Sequence, residues 1–180
     1  MEKQENLDCP PLATAPAMPI RPETPADTQA IFALTERAFA GHPHSSGTEP
    51  HIVSALRTAG ALTLSLVAEI DGIVVGHVAI SPVTISDGTA DWYGLGPISV
   101  EPTCQGCGLG SDLVRAGLAR LAVLGAAGCV VLGDPGYYTR FGFQVQPGLV
   151  YPGPPAEYFM ALAFGTSHPE GRVAYHAAFG

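Results

Sequence analysis

The chain has 180 residues, of which 47% are hydrophobic and 13% are charged, and its formal net charge is −8. This length and composition predict one soluble globular domain that is large enough to bury a core. The negative charge argues against nucleic acid as a partner, because a phosphate backbone selects for clustered Lys and Arg. No apolar stretch approaches the ~20 residues of a membrane-spanning helix, and the N-terminus lacks the apolar core of a signal peptide. We therefore predict a cytoplasmic protein with no membrane partner.

Residues 1–18 contain several prolines and alanines but no helical or strand periodicity, and we predict a flexible leader followed by a single domain at 19–180. The predicted helices of that domain are 24–39, 50–58, 109–126 and 135–141. Its predicted strands are 20–22, 62–70, 73–85, 92–100, 129–132, one that begins near 143, 157–164 and 172–179. This order of strands and helices predicts a mixed α/β sheet.

The segment 100–111 connects the predicted strand 92–100 to a long helix, and it carries glycines at positions 106, 108 and 110. A glycine-rich turn before a helix exposes backbone N–H groups that have no intrahelical partner. Glycine also lets an anion approach these groups closely, because no Cβ stands in the way. Together with the partial positive charge of the helix N-terminus, these features predict a loop that binds phosphate or pyrophosphate.

Two common phosphate-binding loops do not fit this segment. A P-loop closes with Gly-Lys-Ser/Thr, but the only lysine of the chain is Lys3. A dinucleotide-binding loop has the pattern Gly-x-Gly-x-x-Gly, but Ser111 or Leu113 stands where its last glycine would be.

The pattern that fits is Gln-x-x-Gly-x-Gly, formed by Gln105, Gly108 and Gly110. In this motif, placed between a strand and a long helix, the chain resembles the GCN5-related N-acetyltransferase (GNAT) superfamily. A second motif follows the strand 129–132, because residues 133–143 read Gly-Asp-Pro-Gly-Tyr-Tyr-Thr-Arg-Phe-Gly-Phe. This phrase resembles the YhbS-like bacterial branch of that superfamily. The resemblance covers about residues 19–180 in layout, and its specific motifs lie within 96–143.

The resemblance implies an α/β fold with a mixed, splayed sheet of about six to seven strands, flanked by about four helices. The sheet of this family opens between its fourth and fifth strands, and the pantetheine arm of acetyl-CoA enters there like an additional strand. By resemblance, the backbone of Ile98, Ser99 and Val100 binds the pantetheine amides. The implied pyrophosphate-binding residues are Gln105, Gly106, Cys107, Gly108, Leu109, Gly110 and Ser111.

The resemblance also implies an N-acetyltransferase in which a primary amine attacks the thioester directly, with acetyl-CoA as co-substrate and no metal. Tyr138 occupies the position of the family's general acid, so it is expected to contact the cofactor and to protonate the CoA thiolate. The acceptor stays open between a small-molecule amine and a peptide amine, and a homodimer is compatible with the family.

The group that deprotonates the amine is not identified by the sequence. Glu49, Asp91 and His77 are candidates, but a helix-terminus charge, a turn residue and a satisfied sheet histidine explain them equally well. Large aromatic residues that could line an acceptor pocket, or simply pack in the core, are Phe39, Trp92 and Tyr93.

Two alternatives remain at this stage. The first is a non-catalytic module that binds acyl-CoA and has a regulatory role. The second is a redox or metal protein, because Cys104 and Cys107 form a C-x-x-C pair. A structural zinc site would need two further soft ligands, and neither Cys9 nor Cys129 is well placed for that. We therefore expect the two cysteines of the loop to be incidental.

Overall fold

The computed structural model describes residues 19–43 and 45–180, and the predicted leader at 1–18 lies outside the described residues. The described helices are α1 (Thr28–Phe39), α2 (Glu49–Thr58), α3 (Leu109–Val123) and α4 (Pro135–Tyr138). The described strands are β1 (Ile20–Pro22), β2 (Leu64–Ile70), β3 (Ile73–Pro82), β4 (Thr84–Ile85), β5 (Trp92–Val100), β6 (Gly128–Leu132), β7 (Leu149–Val150), β8 (Phe159–Ala163) and β9 (Gly171–Ala174).

Six strands form the main sheet in the order β1-β2-β3-β5-β6-β8, and β4-β9-β7 form a second, small sheet. In the main sheet β5 and β6 run parallel, and the other neighbouring strands are antiparallel. The architecture is therefore the predicted mixed α/β sheet with four α-helices. Within the described residues, no helix is both long and apolar enough to cross a membrane.

The main sheet opens between β5 and β6. The two strands pair from Trp92 and Gly128 up to Leu95 and Val131, while β5 continues to Val100. Beyond Leu95, β5 has no strand partner on its β6 side within the described part of the chain. We call this opening the cleft between β5 and β6.

A β-bulge lies where the cleft begins. Val78 of β3 faces Ile98, whereas Ile80 faces Leu95, so β5 carries one additional residue across this step. A bulge bends its strand and increases the local twist, which turns the end of β5 away from β6. One of the two β5 residues in the bulge is Pro97, which has no backbone N–H to donate.

Helix α3 lies close against β3 because each of the two elements has a glycine that faces a large side chain of the other. A Cβ on Gly76 would stand 2.9 Å from Cδ1 of Leu113, and a Cβ on Gly117 would stand 2.9 Å from Cδ1 of Ile80. Leu109 and Leu113 are fully buried in this contact. The helix N-terminus is thereby fixed beside the end of β5.

Three of the predicted strands differ from the strands of the structure. The predicted strand 73–85 is two strands in different sheets, because the chain leaves the main sheet after Pro82 and β4 pairs with β9. The predicted strand near 143 is a single bridge between Gln144 and Ala161. The predicted strand 172–179 ends at Ala174, since residues 177–179 form a 3-10 turn whose Ala178 N–H donates to Nδ1 of His176.

Candidate active site

The glycine-rich loop presents a row of free backbone donors. After a 3-10 turn at Pro102–Cys104, the chain takes left-handed conformations at Gly106 and Gly108, with φ of 77° and 82°. Gly108 is the N-cap of α3 and has no side chain to cap the helix. Among the described residues, the backbone N–H groups of 106–111 have no hydrogen-bond acceptor. Such a row attracts an anion.

The predicted loop residue Gln105 connects the loop to β5 by a hydrogen bond. Its Nε2 donates to the carbonyl oxygen of Val100 at 3.1 Å, so its side chain is bonded to the last residue of β5. The Glu101 N–H donates to the carbonyl of Val75 at 2.8 Å, and the Glu101 carboxylate forms a 2.8 Å ion pair with Arg37 of α1. The loop is thus joined to β3, β5 and α1.

Three predicted pantetheine-binding residues, Ile98, Ser99 and Val100, lie on the part of β5 that borders the cleft. Ile98 and Val100 are half-buried on the side of the sheet that carries α3. The Ser99 side chain points to the opposite face, where its hydroxyl donates to Oγ1 of Thr35 in α1 at 3.2 Å. Their backbone therefore pairs with β3 on one edge, and on the other edge it has no strand partner within the described part of the chain.

Tyr138 is the last residue of α4, and this helix begins after a capped turn. The Asp134 side chain accepts the Gly136 N–H at 2.8 Å, and Pro135 occupies the first helical position. The Tyr138 ring packs over Gly133, where a Cβ would stand 2.9 Å from Cδ2 of that ring. Its hydroxyl makes no hydrogen bond within the described residues.

The environment of Tyr138 keeps its hydroxyl protonated. The residue is 8% exposed. Burial raises the pKa of Tyr138 above the ordinary tyrosine value, and the nearby Tyr137 hydroxyl and Cys129 thiol raise this pKa further. The side chain is consequently a hydrogen-bond donor at neutral pH.

Tyr137 has a role that the sequence did not reveal. Its hydroxyl lies 3.3 Å from Oγ of Ser111, and a Cβ on Gly110 would stand 3.1 Å from the same hydroxyl. Its ring contacts the Tyr138 ring edge-on at 4.9 Å between centroids, and the Arg140 guanidinium lies 4.7 Å from its centroid. The adjacent tyrosine pair could have suggested a contact with the loop, but spacing alone does not show which ring points there.

His77 is buried in a polar network. Its Nε2 lies 2.8 Å from Oγ of Ser65, and Ser65 in turn contacts the carboxylate of Glu23. Arg57 binds both oxygens of Glu23 at 2.8 Å. Burial lowers the pKa of His77 to about 4, so the imidazole is neutral at pH 7. His77 is therefore a buried structural histidine of the sheet rather than an exposed base, and its Nδ1 has no hydrogen-bond partner among the described residues.

The other two base candidates also have structural explanations. Glu49 is in the first turn of α2 and accepts hydrogen bonds from Oγ of Ser45 at 2.9 Å and from the Ser46 N–H at 3.2 Å. Asp91 is an exposed turn residue with φ of 62°.

Of the three aromatic candidates for an acceptor pocket, Trp92 and Tyr93 border a cavity beside β4, and Phe39 lines a different one near α1 and α2. This cavity has a volume of about 370 Å³, and Glu36 and Glu49 also line it. Tyr93 packs against the main core, and Trp92 is 1% exposed with its Nε1 donating to Ser167 at 3.4 Å. Trp92 therefore belongs to the core.

The two cysteines of the loop differ in environment. Cys104 is buried and Cys107 is half-exposed, and both are free thiols. In the described part of the chain, no group of three or more His, Cys, Asp and Glu side chains is placed to hold a metal ion.

Comparison with known proteins gives consistent results. A family model for the Acetyltransferase (GNAT) domain matches residues 62–145. The chain is 43% identical over 129 residues to the protein named Uncharacterized N-acetyltransferase YhbS of Escherichia coli K12, and the match covers 71% of this chain and 74% of that protein.

Two solved structures are similar over nearly the whole chain. One is a GNAT family acetyltransferase from Brucella melitensis in complex with acetyl-CoA, with 53% identity, a TM-score of 0.82 and coverage of 91% of this chain and 98% of that one. The other is YhbS from Escherichia coli in complex with CoA, with 38% identity, a TM-score of 0.83 and coverage of 92% and 94%.

Proposed function

Because this chain belongs to the GNAT family of N-acetyltransferases, we propose that it transfers the acetyl group of acetyl-CoA to a primary amine by direct attack. The observation that carries the proposal is the row of six N–H groups at 106–111, which follows the end of β5 at Val100 and has no acceptor among the described residues. The similar structures bound to acetyl-CoA and to CoA support the same cofactor here.

The two parts of the cofactor fit the two parts of the site. A pyrophosphate carries negative charge and would accept hydrogen bonds from the loop N–H groups. The pantetheine arm carries amide groups, and an extended chain of amides can pair with an unpartnered strand edge. The backbone of β5 at residues 98–100 offers such an edge toward the cleft. We infer that Gln105 and Tyr137 act indirectly, by holding the loop and α4 in place.

Bound acetyl-CoA would supply an activated thioester. We infer that Tyr138 donates a hydrogen bond to the departing sulfur, and that the phenol O–H bond then breaks as the thiol S–H bond forms. The proton that the attacking amine loses on forming the amide then restores the phenol. An ordinary thiol has a pKa of about 8.5 and an ordinary phenol one of about 10, and burial raises the pKa of Tyr138 further. Transfer of a proton from an ordinary phenol to an ordinary thiolate is uphill, so hydrogen bonding to the thiolate should be the first contribution of Tyr138.

The cavity near α1 and α2 supports a cationic acceptor. Glu36 and Glu49 line it together with Phe39, and carboxylates attract an amine that arrives as an ammonium ion. Both a small-molecule amine and a peptide amine satisfy this requirement.

The proposal is tested by measuring CoA release from acetyl-CoA in the presence of a panel of primary amines, together with acetyl-CoA binding by thermal shift. We expect a raised melting temperature and amine-dependent CoA release. Binding without release in any amine would favour the non-catalytic acyl-CoA-binding module. Absence of binding would contradict both.

A further inference from the structure

Two buried hydroxyl groups that have no partner among the described residues belong to side chains at the same point of β3 and β5, near the start of the cleft. Among the described residues, Ser81 Oγ and the Tyr175 hydroxyl are buried and make no hydrogen bond. Ser81 of β3 faces Gly94 of β5 across the sheet, and the Tyr175 ring lies on Gly94, where a Cβ would stand 2.9 Å from its Cδ1. Side chains of facing residues lie about 5 Å apart, so both hydroxyls belong to one small region.

The Tyr175 side chain is held firmly in this position. Its ring contacts Tyr151 and Phe179, with centroids 5.2 Å and 5.0 Å away. Gly94 leaves room for the ring only because it has no Cβ. Because the ring is fixed, its hydroxyl cannot reach solvent by a change of side-chain rotamer. The hydroxyl therefore stays buried and, among the described residues, without a hydrogen-bond partner. Buried polar groups are nearly always hydrogen-bonded, and an exception calls for a bound water or ligand.

The position of Tyr175 relates it to the cleft. Gly94 pairs with Val130, and the next pair, Leu95 with Val131, is the last one before β5 and β6 separate. The Tyr175 ring thus covers β5 one residue before the opening. Burial raises the pKa of Tyr175 well above the ordinary value, and Cys129, Tyr151 and Tyr138 raise this pKa further. The hydroxyl therefore remains a donor.

The β5 backbone offers one donor fewer at this point. Pro97 has no N–H, and it lies in the bulge where the strand turns away from β6. An acyl carbonyl oxygen at the start of the cleft can accept two hydrogen bonds. The backbone N–H of a strand residue other than proline could donate one of them. The Tyr175 ring lies on Gly94, three residues earlier in the same strand, and its hydroxyl is an additional side-chain donor near this part of β5.

We propose that Tyr175 is a further catalytic residue, whose hydroxyl donates a hydrogen bond to the acyl carbonyl oxygen of the bound thioester. This inference rests on the proposed function, because it needs acetyl-CoA in the cleft. The bond strengthens as the amine attacks, since the C=O π electrons move onto the oxygen and give it negative charge. No proton leaves Tyr175, and the oxygen loses its charge again when the C–S bond breaks.

Tyr175→Phe tests the proposal, because phenylalanine keeps the ring on Gly94 and removes only the hydroxyl. The matched control is Tyr151→Phe, which deletes a hydroxyl from the neighbouring ring. We expect Tyr175→Phe to lower kcat about 10²-fold, as for loss of one donor to a developing oxyanion, while Tyr151→Phe keeps wild-type kcat. The melting temperature of ligand-free Tyr175→Phe should equal or exceed that of the wild type, because a buried unpaired hydroxyl is removed.

An equilibrium measurement separates contact with the acyl group from a purely structural role. The ratio of the dissociation constants of CoA and acetyl-CoA should fall about fivefold in Tyr175→Phe, since only acetyl-CoA carries the carbonyl that accepts the bond. The infrared carbonyl band of bound ¹³C-labelled acetyl-CoA should also move to higher frequency in the variant. An unchanged ratio and band would overturn the proposal and would leave a bridging water between Ser81 and Tyr175 as the partner. If wild-type protein neither binds nor turns over acetyl-CoA, the proposed function itself fails.

Discussion

The hydroxyl of Tyr137 lies 3.3 Å from Oγ of Ser111, so the short helix α4 contacts the first turn of α3. Gly110 makes this contact possible, because a Cβ there would stand 3.1 Å from the Tyr137 hydroxyl and 3.7 Å from Val100. The loop that would hold the pyrophosphate and the helix that carries Tyr138 are thus joined through one hydroxyl.

Gly110→Ala should weaken acetyl-CoA binding, because the added methyl group pushes against the Tyr137 hydroxyl and shifts the first turn of α3. Adding Tyr137→Phe removes the oxygen that clashes, so the double variant should recover most of the affinity. Coupling energies between residues in contact are about 0.5–3 kcal/mol. Calorimetric titration of the two single variants and the double variant measures this energy, and simple additivity would contradict the contact.

Gly108→Val should abolish the rise in melting temperature that acetyl-CoA produces. Gly108 has φ of 82°, a conformation that a branched residue adopts only with strain, and its Cβ would stand beside the row of N–H groups. Gly125→Val is the matched control, since Gly125 has φ of 80° and lies just beyond the other end of α3. Both variants should lose stability, and only Gly125→Val should retain the ligand-induced shift.

Tyr138→Phe should lower kcat by about 10²-fold, near the lower end for general acid catalysis, with little change in the dissociation constant of acetyl-CoA. The substitution deletes one oxygen and keeps the ring that packs on Gly133. Rapid-mixing kinetics under single-turnover conditions isolate the chemical step. Tyr137→Phe is the comparison, and it should slow that step much less, because the hydroxyl that it removes contacts Ser111 of the loop. Wild-type rates in Tyr138→Phe would show that its ring is structural.

His77 should make the folded protein lose stability as the pH falls from about 6.5 to about 4. Its pKa is lowered by burial from 6.5 to about 4 in the folded state, so over this interval the unfolded chain binds a proton that the folded one does not. The stabilisation is complete above the unfolded pKa, and its loss amounts to about 3 kcal/mol.

Urea unfolding of wild type and His77→Gln between pH 4 and pH 7 checks this expectation. Glutamine fills the site with a polar side chain that does not titrate. The pH dependence should be flatter in the variant, and the lowered carboxylate pKa of Glu23 contributes to both proteins. Parallel curves would mean that the pKa of His77 is close to its ordinary value in the folded protein.

The sequence predicted the main elements well where one local signal determined them. The glycine pattern at 105–110 placed the loop before α3, and Asp134-Pro135 placed α4. The boundary at Pro82 was missed, because the run 73–85 is mostly apolar and its division depends on pairing with β9, almost ninety residues later.

Contacts between distant residues could not be predicted from spacing. Glu23, Ser65 and His77 meet only because β1, β2 and β3 lie side by side. Tyr175 likewise reaches Gly94 only because the chain after β9 returns to β5. In each case the sequence shows a residue type without its partner, and the partner decides what the residue can do.

The loop at 105–111 contains neither Lys nor Arg, and the whole chain has a net charge of −8. Peptide dipoles attract an anion only within contact range, whereas net charge acts over about 8 Å at physiological ionic strength and farther in dilute buffer. The net negative charge of the protein therefore repels a polyanionic cofactor at a distance, and the N–H groups of the loop attract it only at contact. Added salt screens the repulsion without weakening the fixed dipoles, so cofactor capture should become faster as ionic strength rises.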